Sequence, residues 1–156
     1  LKDAAVVELF ASTGVFSPVE LESRYEVYSE QYVLSIEVEA KLVIDMATTT
    51  IYPTAAKYLS ELTSTIASSA SIGVTLDSSL AQKVATAADT MMKDVDLLST
   101  AVAKHDFATV EDHMQFCAKE ICSLMVSIRE SADLLETLVA DSAWPLPKYS
   151  EMLFIK

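Results

Sequence analysis

The chain has 156 residues, with 23 acidic against 11 basic side chains and a net charge of −12, yet only two glycines and four prolines. So few turn formers argue against a sheet protein, and so acidic a balance argues against nucleic acid or an anionic membrane as a partner. The length suits one domain with a real core, expected to span 1–156.

No run of apolar residues is long enough to cross a bilayer. No basic stretch followed by an apolar one opens the chain, so no signal peptide is expected and the expected compartment is the cytoplasm. The opening residue is Leu1 rather than an initiator Met, which reads as a fragment or a processed product. Cys117 and Cys122 lie about 140° apart on an α-helix, so they read as free thiols, with Cys117 a small core residue.

Taken in chain order, "DAAVVELFASTG" predicts a first helix over 3–12, capped by Asp3 and ended by Gly14. "SPVE" at 17–20 is a stronger start: Ser17 as N-cap, Pro18 in the first turn, Glu20 closing a capping box. The element it opens meets only Pro53 before the turn signal "SSASIGVTLD" at 68–77. Proline clashes with the preceding turn and cannot donate, and "TTT" at 48–50 is weak helix, so a kink or break is expected at 49–53. The predicted helices are 18–52 and 54–68.

Projected at 100° per residue, Leu21, Tyr25, Tyr28, Tyr32, Ile36, Val43 and Met46 fall on one side of this element. Val27, Leu34, Val38 and Leu42 form a second apolar stripe. One stripe suffices for a helix packed on one face, so the second is the candidate interface. Glu39 projects among the tyrosines, where it reaches solvent or a phenol; no second carboxylate or His projects beside it, which argues against catalysis.

A helix over 78–103, capped by Asp77 or Ser78, carries Leu80, Val84, Ala87, Met91, Val95, Leu98 and Val102 at heptad spacing. After "KHD", with Asp106 as cap, a helix over 107–140 repeats the pattern through Cys117, Ile121, Leu124, Ile128 and Leu135. Two such seams across a short connection predict an antiparallel hairpin, with Ala55, Tyr58, Leu59, Leu62 and Ile66 as a third member. The tail "DSAWPLPKYSEMLFIK" stops the last helix. Pro145 and Pro147 hold it extended, Trp144, Leu146 and Tyr149 form an apolar clasp, and a short helix follows over 147–153, through Met152 towards Phe154.

Chemistry-bearing motifs are missing. There is no Gly-rich phosphate loop, no H-E-x-x-H and no G-x-S-x-G, and no catalytic, cofactor-binding or metal-ligating residue is expected. His113 flanks the last seam; a phosphotransfer role would need small and basic neighbours that "HMQFC" does not offer. The residues alone therefore describe an all-α, acidic antiparallel bundle of long helices, one of them Pro-kinked, ending in a short Trp/Pro-containing tail.

Two stretches go further. "LESRYEVYSEQYVLSIEVEA" at 21–40, preceded by "VVELFASTGVFSPVE", and the tail "WPLPKYSEMLF" resemble the C-terminal region of type III glutamine synthetases. Those large bacterial enzymes share an "ELESRYEVYxEQY" helix, an Ile-Glu-x-Glu segment (here Ile36 to Glu39), a helix leading to a Tyr-Pro pair (Tyr52 and Pro53) and a "WPLPxYxEMLF" ending. The resemblance implies a piece of an ATP- and magnesium-dependent glutamate–ammonia ligase. The parent's metal and nucleotide groups lie in a sheet domain and catalytic body outside this chain, so the piece itself is expected to be inactive. The implied partners are the catalytic body of the same chain and neighbouring subunits of a homo-oligomer. The alternative from the residues alone is a free-standing scaffold that binds helices through its second stripe.

Overall fold

The structure, a computed structural model, describes residues 1–153 apart from the side chains of Tyr149 and Ser150. It is built from α1 (Ala4–Ser12), α2 (Pro18–Met46), α3 (Tyr52–Ser71), α4 (Ser79–Val102), α5 (Val110–Phe116), α6 (Cys122–Leu138) and α7 (Tyr149–Leu153). No strand occurs among the described residues, and the all-α bundle expected from the sequence is what forms.

Local chemistry sets the ends. Asp3 accepts from the Ala5 N–H at 2.9 Å, and Gly14, at φ 69°, closes the end of α1. At Ser17 the capping box is complete: its hydroxyl accepts from the Glu20 N–H, and the Glu20 carboxylate accepts from the Ser17 N–H at 2.8 Å. Those Ser17 contacts hold the Glu20 carboxyl below its usual range. Gly73, at φ 83°, lets Val74 N–H reach the Ser69 carbonyl at 3.0 Å, a Schellman closure that ends α3. Asp77, rather than the adjacent Ser78, caps α4, accepting from the Ser79 N–H at 3.0 Å.

Pro53 does not end its helix. Residues 18–71 form one continuous element of roughly 80 Å at 1.5 Å per residue. The expected break takes the form of a π turn, Ala47–Ile51, in which Tyr52 N–H reaches back five residues to the Ala47 carbonyl. The longer loop accommodates a residue that brings no N–H and whose ring crowds the carbonyl four residues back. The threonines serve the same end: the Thr48 and Thr49 hydroxyls donate to the Ile44 and Asp45 carbonyls at 2.8 and 2.7 Å.

A second π turn, Cys117–Ile121, joins α5 and α6 into one element over 110–138. This element starts at Val110 rather than 107, because Thr109 and not Asp106 is the cap. The Thr109 hydroxyl accepts from the Asp112 N–H at 3.1 Å, and Glu111 and Asp112 place negative charge on the positive helix end. Phe107 is left to fold back against His113 and Phe116.

The core lies between α4 and α6, with α2 and the first π turn closing one side and α3 packed on α4. From α4 come Val84, Met91, Val95 and Leu98, each at most 2% exposed; Cys117, Ile121, Ile128 and Leu135 face them. Across the hairpin Ser127 donates to the Asp94 carboxylate at 2.6 Å, giving a half-buried polar pair its partner. Met91 sits fully enclosed, so Met91→Ala is expected to cost about 2–5 kcal/mol in a urea unfolding titration. Leu97→Ala, on the exposed face of the same helix, should change stability by less than about 0.5 kcal/mol.

Candidate functional site

The face that α2 turns to the core differs from the one its sequence projects. Leu21, Ser29, Val33 and Ala40 are buried, with Tyr25, Tyr32, Ile36 and Val43 half-buried beside them. Tyr28, expected on the core side, is 60% exposed. The small side chains at 29 and 40 let α2 approach its neighbours closely there, and that turns the seam away from Tyr28.

Val27, Leu34, Val38 and Leu42 lie opposite this seam and are 58, 57, 65 and 56% exposed. The four share one side of the helix, and nothing among the described residues covers them. Glu39 is also exposed, near enough to the half-buried Tyr32 phenol to act on it. Burial chiefly raises that phenol's pKa, with the neighbouring thiols and Glu39 adding to the effect.

On the flank of the stripe the structure assembles a group that sequence reasoning missed. The Glu37 carboxylate, 12% exposed, faces His113 Nε2 at 3.3 Å and His105 Nδ1 at 3.9 Å. Phe107 stacks on the His113 ring with centroids 4.2 Å apart. The Lys104 ammonium lies over Phe107 and Phe116. Glu30, Val33, Leu34 and Val110 complete a shallow groove there. The cluster fastens α2 to the α4–α5 connection, and its carboxylate finds partners that offset its burial. Among the described residues no group of three or more His, Cys, Asp or Glu side chains is arranged to hold a metal ion.

The tail returns to the bundle. Trp144 and Leu146 pack against the core, and Leu146 lines a groove with Val43, Met46, Met125, Ile128 and Ala132. Pro145 and Pro147 are exposed. Lys148 Nζ meets the Asp141 carboxylate at 2.5 Å, which raises the ammonium pKa. Glu151 caps α7 by accepting from the Lys148 N–H at 3.1 Å, so this helix begins at Tyr149 and not at Pro147. The Tyr149 side chain and Phe154, both assigned to the tail's packing from sequence, lie outside the described residues.

With this geometry in place, comparison with known proteins is informative. Residues 1–70 match the family model described as the glutamine synthetase C-terminal domain. Over 96% of its length the chain is 30% identical to the type-3 glutamine synthetase of Dictyostelium discoideum, covering 22% of that protein. By these matches the chain aligns with the glutamine synthetase C-terminal domain. A glutamine synthetase of Bacteroides fragilis is 27% identical over 91% of the chain, again covering only 21% of the relative. This domain thus spans about a fifth of the length of the curated relatives it matches. One relative is an amoebal protein, so the match is not confined to the bacterial enzymes that the sequence resembles. Among the described residues no helix is long and apolar enough to cross a membrane.

Two measurements test this local chemistry. Glu37→Gln and His113→Ala should each destabilise the domain, and the double variant should show a coupling of at least about 0.5 kcal/mol; additive losses would mean the contact is incidental. Burial pushes the Cys117 thiol up, away from the reactive thiolate. Iodoacetamide at neutral pH should therefore label Cys117 only after unfolding, as read by peptide mass spectrometry, whereas the half-buried Cys122 should react in the folded domain.

Proposed function

We propose that this domain is a non-catalytic helical extension of a cytoplasmic glutamate–ammonia ligase, one that braces the catalytic body or the assembly of its subunits. The observation that carries the reading is the pairing of a similarity running along nearly the whole chain with four apolar side chains left exposed on one face of α2. Four side chains of this kind stabilise a contact by about 1.5–3 kcal/mol each when fully covered, enough to hold a domain in place.

ATP and magnesium are assigned to the parent's catalytic body. What supports that assignment is that no group of three or more His, Cys, Asp or Glu side chains among the described residues is arranged to hold a metal ion, and that both glycines sit at helix ends. The Glu37 cluster supports the same division of labour. Its carboxylate is engaged by imidazoles from the α4–α5 connection and from α5, the arrangement of a fastener between segments.

The 156-residue chain is expected to form no glutamine from glutamate, ammonia and ATP, and to give no heat in a Mg-ATP titration. Calorimetric binding in the micromolar range would sink the proposal. In the parent enzyme, Leu34→Glu with Leu42→Glu should leave this domain folded while weakening its docking, seen by sedimentation velocity beside a melting curve. Unfolding of the domain itself would make the stripe ordinary core.

A further inference from the structure

The exposed face of α2 has an internal order. Going outward from the midpoint between Leu34 and Ser35, the residues on this face are Leu34, Gln31, Val27 and Arg24 in one direction and Ser35, Val38, Leu42 and Asp45 in the other. The steps are the same both ways, and all eight residues are exposed. At 100° per residue they fall within an arc of about 100°, directly opposite the seam of buried Ser29, Val33 and Ala40 and half-buried Ile36. The ends carry opposite charges, Arg24 on one and Asp45 on the other.

A palindromic spacing with opposite charges at its ends fits a two-fold axis. We propose that this face is a self-complementary docking surface, on which a second copy of the chain lays its own α2 antiparallel, with the axis passing between Leu34 and Ser35.

In that arrangement Val27 of each copy meets Leu42 of the other, Val38 meets the aliphatic stem of Gln31, and the two Leu34 side chains meet near the axis. Arg24 faces Asp45 at both ends. Lys41 falls level with Tyr28 of the other copy, between Glu26 and Glu30 on the same flank. A parallel pairing in register would instead set Arg24 against Arg24 and Asp45 against Asp45, which like-charge repulsion disfavours. Glu37, on the same flank, is only 12% exposed and faces His113. The steps of three and four residues are those of knobs-into-holes packing between helices. An unrelated occupant would need the apolar side chains but not their mirrored spacing.

This proposal sharpens the reading of the stripe as an interface, and it is tested apart from the ligase assignment. Sedimentation velocity on the 156-residue chain should show a monomer–dimer equilibrium at about 0.15 M salt, where the Debye length of roughly 8 Å screens the repulsion between two acidic copies. Asp45→Arg turns both end pairs into repulsions and should weaken the dimer by about tenfold. Adding Arg24→Asp to it restores opposite charges and should recover most of that loss. Arg24 also lies 4.4 Å from the Phe16 ring, a contact that neither Asp45→Arg nor the recovery depends on. Leu34→Glu should abolish the dimer with an unchanged melting temperature. A chain that stays monomeric up to about 100 μM, a dimer indifferent to Leu34→Glu, or a charge swap that fails to recover the loss would each overturn the pairing. None of these results bears on nucleotide binding, which tests the ligase-domain assignment separately.

Discussion

Everything in this molecule is arranged around one backbone problem, the passage of a long helix through Pro53. An α-helical register at that point would leave a carbonyl without its donor and press the proline ring against the preceding turn. Widening the loop at Ala47–Ile51 removes the clash, and the threonine hydroxyls engage carbonyls on either side. The helix therefore continues to Ser71, and one element borders both halves of the bundle. Its first half packs on α4, α5 and α6, and its second half packs on α4. Had it broken at Pro53, the two halves would be separate helices free to choose separate angles.

The tail acts on the same place. Leu146 lines a groove together with Ala47 and Ile51 of the π turn and with Met125 and Ile128 of α6. The proline-stiffened segment thus lies over the joint where the register changes. Trp144 anchors it, and the ion pair between Lys148 and Asp141 closes the small loop behind it. A rigid tail loses little conformational entropy when it docks, which explains why two prolines frame the leucine that makes the contact.

Much of the fold was legible in the sequence because the heptad seams of α4 and α6 are regular. The residues read as core at 84, 87, 91, 95, 98 and 102 are buried, as are those at 117, 121, 128 and 135. The capping box at Ser17 was equally plain. The π turns were not, since i→i+5 bonding has no residue signature of its own; Pro53 marked trouble without saying how it would be resolved. Thr109 rather than Asp106 is the cap, and Phe107, outside the helix, stacks on His113 instead. Tyr28 was misplaced because a projection weighs size and polarity, whereas the seam follows the small residues Ser29 and Ala40 that permit close approach. Glu37 was hidden among the solvated glutamates of α2. Its partners come from α5 and the connection before it, far along the chain, and no local pattern announces such a meeting.

The continuous helix also has a mechanical consequence. Past the π turn it is flanked chiefly by α4, and it ends in an exposed apolar tip formed by Ile72, Val74 and Leu76. A stiff rod converts a small tilt at one end into a large sweep at the other, since displacement grows with distance from the pivot. Because the same rod packs on α4, α5 and α6, a shift in how it seats on those helices is carried along it to the three side chains at the tip.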